Sequence, residues 1–179
     1  IISLIFIASF SIRLIYIFQI SEFPLSEYLI TNSTFDQHGF DENALIISSG
    51  DWLGGGEVFE KEPLYSYFLA VIYRIFGYWH FVVYIIQALL TSLGILLFYK
   101  ASARCFNAPI ALITSFILAF YSVSVFYDGL LLRASLVTFL TLLLFYCIVR
   151  ACESNNLLSW FLSGAVLGLS LLARHNIFL

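Results

Sequence analysis

Asp36, Asp41 and Glu42 stand in an acidic stretch that also carries Asp51, Glu60, Lys61 and Glu62, between one long apolar run and a shorter one. A carboxylate held there could act as a general base, taking a proton from an attacking hydroxyl or amine. A lone cation beside it could hold a phosphate. Phe40, Ala44 and Ile47 follow i, i+4, i+7 spacing, which predicts a short helix whose apolar face lies on the membrane surface. Asp36, four residues before Phe40, projects from that same side near the helix start, where low dielectric makes a carboxylate a better base. The plainer reading of Asp36 is an N-cap, favoured by the free amides and dipole of a helix start. Asp41 and Glu42 point elsewhere on the helix, and for them the plainer reading is a solvated polar face.

Gly54-Gly55-Gly56 follows Gly50-Asp51-Trp52-Leu53, but no Lys-Ser/Thr comes after, so this is a turn and not a phosphate-binding P-loop. Pro63 suits the first turn of the next helix. Lys61 is the only lysine or arginine between Ser21 and Pro63, set among Asp51, Glu57, Glu60 and Glu62. It either forms exposed ion pairs or holds an anionic headgroup. Asp128, with Arg133 five residues on, and Arg174-His175 are ionisable groups at the ends of apolar runs. Such groups are commonly functional or paired. Asp128 could pair with Arg133, while Arg13 and Arg74 could snorkel to the interface.

The elements that position these residues are membrane helices. The chain of 179 residues is 61% hydrophobic and 11% charged, with mean hydropathy +0.98, which excludes an ordinary soluble domain. The expected fold is an all-α bundle spanning the membrane about five times, over residues 1–20, 79–99, 108–123, 130–149 and 157–174. Interfacial helices lie in a first outer loop, 21–78. The first run lacks a cleavage site and reads as a retained span. With no methionine, and with apolar runs at both ends, the chain reads as a portion of a longer one. Lys100, Arg104 and Arg150 mark the cytoplasmic connectors, which places ten of the eleven acidic residues outside. Trp52, Tyr65, Tyr67, Tyr73, Tyr78 and Trp79 form the outer aromatic belt. Cys105, Cys147 and Cys152 lack metal-ligand spacing and read as small apolar packing residues.

The succession of motifs resembles the membrane glycosyltransferases of the dolichyl-phosphate-mannose protein mannosyltransferase class, including lipid A aminoarabinose transferases and the family 39 and 83 enzymes of GT-C fold. The resemblance is carried by Asp36, Phe40 and Ala44; by Gly50-Asp51-Trp52-Leu53; and by Phe59-Glu60-Lys61-Glu62-Pro63-Leu64-Tyr65. Ile75-Phe76-Gly77, Tyr127-Asp128-Gly129 and the Gly-Leu-x-x-Leu-x-Arg ending at Arg174 complete it. Phe40 replaces the usual tyrosine, Glu62 stands where many members have proline, and Gln37 follows Asp36 in place of a second acid. By this resemblance Asp36 is the catalytic aspartate, although Asp41 stays open as the base. Asp128 is a second catalytic acid, Lys61 and Arg174 meet the donor phosphate, and Glu60, Tyr65 and Asp41 contact substrate.

The resemblance implies a bacterial inner-membrane enzyme with a polyprenyl-phosphate sugar donor, membrane lipid around it, membrane-protein partners as an option, and no nucleic acid. No cofactor is indicated; a divalent metal is compatible with the pattern, but His38, His80 and His175 are far apart in sequence. A non-catalytic subunit that binds lipid or partner proteins is the rival from another class. A transporter fits less well, because its charges should lie near the midplane.

Overall fold

A computed structural model describes residues 2–21, 23–53, 62–154 and 156–174. Among these residues the chain is all helix: α1 (Ile2–Ser21), α2 (Pro24–Thr31), α3 (Asp36–Ser48), α4 (Leu64–Phe76), α5 (His80–Cys105), α6 (Ala108–Ala119), α7 (Ser122–Asp128), α8 (Ala134–Ser154) and α9 (Leu157–Ala173). At about 1.5 Å per residue, α1 and α8 reach about 30 Å, the thickness of the hydrocarbon layer, and α5 exceeds it. These three are long and apolar enough to cross a membrane. The 17 residues of α9 make a shorter apolar helix.

The run expected as one span over 108–123 is broken. α6 and α7 together have the length and composition of a span but bend by 51° at the break. No proline or glycine lies there. The cause is a side chain in the ladder: Arg13 Nη1 donates to the Ala119 carbonyl at 2.9 Å, an acceptor that an unbroken helix would use for its own amide.

Local signals set the other ends. Asn107 accepts from the Ile110 amide at 2.9 Å to start α6, and Asn156 accepts from Leu158 at 3.1 Å to start α9. Pro63 precedes α4, and Gly77 ends it with φ +82°. Gly129 sits where α7 reaches α1: a Cβ there would come within 2.9 Å of the Tyr16 ring.

One core gathers Ile17 of α1, Phe40, Ala44 and Ile47 of α3, Tyr65 and Leu69 of α4, Val83 and Ala88 of α5, Leu136 of α8 and Ala173 of α9. The Phe40–Ala44–Ile47 face is therefore buried against the protein and does not lie on a membrane surface. The physical reason is α4, whose own apolar face packs on α3 and offers better-matched burial. Tyr65 and Tyr73 likewise leave the expected aromatic belt for the core, while Trp52, Tyr78 and Trp79 stay exposed. At the opposite end, Arg104 meets Glu153 at 3.2 Å and Arg150 meets it at 3.9 Å, tying the ends of α5 and α8. Cys105 and Cys152 lie exposed at that end and Cys147 is half-buried, so the expected packing role fails for two of the three.

Candidate functional site

Two buried polar centres are built on these helices. The first surrounds Asp41, which α3 turns inward: its side chain is 8% exposed, contrary to the solvated face expected for it. Tyr73 of α4 donates its hydroxyl to Oδ1 at 2.5 Å, and Tyr78 donates to Oδ2 at 2.7 Å. His80, at the start of α5, places Nε2 3.3 Å from Oδ1. Burial alone would push the Asp41 carboxyl up, but the bonds from His80, Tyr73 and Tyr78 outweigh it and hold it below the usual carboxylate range. Burial, with the ionised partner, pushes the Tyr73 and Tyr78 phenols well above theirs. Glu42, by contrast, is exposed, 3.7 Å from His38.

The second centre is the Arg13–Asp128 pair at 2.7 Å, both side chains sealed from solvent. Arg13 also donates to the Ser9 carbonyl and hydroxyl at 3.0 and 2.8 Å, and to Ser124 at 3.3 Å. Thr91 donates to the other Asp128 oxygen at 2.8 Å. So Asp128 pairs with Arg13 and not with Arg133, and Arg13 does not snorkel. A guanidinium midway along α1 is too far from either end to reach water, and the α6–α7 break offers it a carbonyl and a carboxylate instead.

Gln87 connects this centre to α4. Its Nε2 donates to the carbonyls of Asp128 and Leu130 at 3.0 and 2.9 Å, and its Oε1 accepts from the Tyr65 hydroxyl at 2.6 Å. Tyr65 is fully buried, its ring edge-on to Phe40 at 5.0 Å. Tyr65, expected to contact substrate, thus lies within the core.

Three segments converge beyond this network. The Leu131 amide donates to Gln37 of α3 at 3.4 Å. Arg133 pairs with Glu62 and lies 5.9 Å from the centre of the Phe40 ring. The first turn of α3, the turn after α7 and the start of α4 are thus drawn together. Asp36 is exposed at the first position of α3. Glu60 and Lys61 lie outside the described residues, immediately before Glu62. Arg174 is exposed at the end of α9, whose Ala173 enters the core shared with α4. Arg74 donates to the Ser48 carbonyl at 3.0 Å, closing the last turn of α3. Among the described residues, no three His, Cys, Asp or Glu side chains come together as a metal site.

Sequence reasoning missed the Asp41 centre and the partner of Arg13. One signal was available for the second: a charge in mid-span needs an intramembrane partner, and ten of the eleven acids lie in or beside the loops at the far end of that span. Nothing in the spacing of Asp41, Tyr73, Tyr78 and His80 announces their meeting.

A family model described as dolichyl-phosphate-mannose-protein mannosyltransferase matches residues 60–179. The match takes in Asp128, Arg133 and Arg174 and begins after α3. Neither a curated protein nor a solved structure gives a match.

Proposed function

The chain belongs to the dolichyl-phosphate-mannose-protein mannosyltransferase family, a glycosyltransferase family of the GT-C type, and from that premise we propose that it moves a sugar from a polyprenyl-phosphate donor to an acceptor at the outer face of the membrane. The observation that carries the site is the Arg133–Glu62 pair. It anchors the residue next to Lys61 beside the turn of α3 that begins with Asp36. Asp36 takes the proton from the acceptor's hydroxyl or amine as that atom bonds to the anomeric carbon. The carbon–oxygen bond to phosphate breaks on the opposite face, and polyprenyl phosphate leaves with the bonding pair. A single displacement inverts the anomeric centre. Lys61 and Arg174 face the charge that grows on the phosphate.

Asp128 acts from behind, holding the turn that presents Arg133. Glu60 contacts substrate beside Lys61. Tyr65 and Asp41 fix α4 and α3 on which these groups stand. Outward orientation rests on Lys100, Arg104 and Arg150 at the other end, as the positive-inside tendency requires, and the setting is a bacterial inner membrane. The protein is integral to the membrane by its apolar helices.

The experiment is transfer of a labelled sugar from a lipid-linked donor by the full-length protein. Asp36→Asn and Lys61→Ala should each lower turnover about 100-fold or more. Full turnover in both variants would overturn the assignment.

A further inference from the structure

On the far side of the Asp41 centre lies a cavity of about 430 Å³ between α2 and the start of α5, with the end of α1 at its edge. Its wall includes Glu27, Tyr78, Trp79, His80 and Tyr84. It is separate from the converging segments that hold Asp36 and Arg133. The lining has four large aromatic rings, those of Tyr78, Trp79, Phe81 and Tyr84, one carboxylate and no lysine or arginine. Glu27 makes no ion pair or side-chain hydrogen bond among the described residues, so its charge is not already neutralised there.

The second observation lies behind the wall. Tyr78 through its hydroxyl and His80 through Nε2 both bond Asp41, which fixes the two groups relative to each other, and their rings stack edge to face at 4.6 Å. Asp41 is held ionised by those same bonds. The Asp41 carboxylate therefore sits one side chain away from the cavity, offset by its partner His80 on the wall, and Glu27 adds a carboxylate without such a partner on the wall itself. The cavity is framed by aromatic side chains and carries the Glu27 charge on its wall, a lining that attracts an ammonium group and repels a phosphate.

We propose that this cavity binds an organic ammonium group, primary or quaternary, with Trp79, Tyr78 and Tyr84 around the cation and Glu27 as its counter-charge. Its place at the loop end of α1 and α5 allows two sources with this chemistry: the amine of a zwitterionic lipid headgroup, or a soluble amine such as an amino sugar. This proposal stands independently of the transfer chemistry.

The test uses the full chain in lipid nanodiscs, with Trp52→Phe and Trp160→Phe so that Trp79 fluorescence reports on the cavity. Choline is titrated against 3,3-dimethyl-1-butanol, its uncharged isostere. Choline should shift the Trp79 signal saturably, the isostere should bind at least tenfold more weakly, and Glu27→Gln should cost choline at least tenfold. Equal binding of the isostere, or undiminished choline binding by a folded Glu27→Gln variant, would overturn the proposal. Should Glu27→Gln fail to fold, Tyr84→Leu read by isothermal titration replaces it, with the same tenfold criterion. Weaker choline binding in phosphatidylethanolamine discs than in phosphatidylglycerol discs assigns the site to a lipid headgroup. Equal binding in both, with competition by glucosamine, assigns it to a soluble amine.

Discussion

Arg13 and Asp128 are 115 residues apart in sequence and 2.7 Å apart in the fold, and the carbonyl freed at the α6–α7 break is a further anchor of the guanidinium. One ion pair therefore decides where α7 ends, and with it the direction taken by the turn that carries Arg133. Leaving either charge alone in an apolar interior costs about 3–5 kcal/mol, whereas replacing both with apolar groups of similar size is far milder. Arg13→Met and Asp128→Leu should each lower stability by about that amount. The double variant should recover at least half of the summed loss. Denaturant unfolding in detergent micelles measures it, and additive losses would deny the pairing.

Asp36 and Asp41 stand five residues apart on α3 and should separate cleanly by readout. Asp36 is exposed, so Asp36→Asn should shift thermal unfolding less than Asp41→Asn does, while turnover falls about 100-fold or more. Asp41→Asn keeps the shape but loses a charge-assisted acceptor for Tyr73 and Tyr78, a cost of about 2–3 kcal/mol in stability. Paired measurements of melting temperature and turnover on both variants check this. A stable, active Asp36→Asn would shift attention to Asp41 as the base.

The two residues also show what the sequence could disclose. Apolar runs of span length announce α1, α5 and α8, because the membrane demands about 20 apolar residues and nothing else satisfies it. The amphipathic face of α3 was equally plain. What it packs on was not, since periodicity specifies a buried side but not whether lipid or α4 covers it. Pairings were the least visible. Arg133 is the near neighbour of Asp128 in sequence, yet a non-helical turn from 129 to 133 aims it at Glu62 instead. Asp41 looked solvated because its partners come from α4, the start of α5 and the turn between them, 30 to 40 positions downstream.

Asp41 also predicts an acid limit. Its folded carboxyl lies below the ordinary value of 3.8, so the native state releases this proton more readily than the unfolded chain does. The stabilisation is complete above the unfolded value and is lost as pH falls through the lower folded one. Tyr73 and Tyr78 shift the other way, so their contribution is complete below about 10 and is lost as the pH rises beyond it. Melting temperatures from pH 2.5 to 11 should fall at both ends. Asp41→Asn should flatten the acid fall relative to the unchanged protein, and an identical acid profile would contradict the assignment.

Gln87 gives the sharpest test of the relay between Asp128 and α4, because its amide is used in both directions. The nitrogen serves two carbonyls and the oxygen serves Tyr65, so neither a purely donating nor a purely accepting group can replace it. Gln87→Leu takes the partner from the Asp128 carbonyl and from the Tyr65 phenol at a buried site, at about 1–3 kcal/mol for each such group, while the Leu130 carbonyl keeps the Leu132 amide at 2.9 Å. Gln87→Glu keeps the volume, but an ionised carboxylate would point an oxygen at the Asp128 and Leu130 carbonyls. It must take up a proton to donate to even one of them. The introduced acid fits only as the neutral group, so the variant's stability is present at low pH and lost as pH rises. Gln87→Glu should approach the unchanged protein near pH 5 and fall behind it by pH 8, while Gln87→Leu should show a constant deficit across that range. Unfolding midpoints at the two pH values separate the variants. A pH-independent Gln87→Glu would show that the amide nitrogen does not bear on those carbonyls.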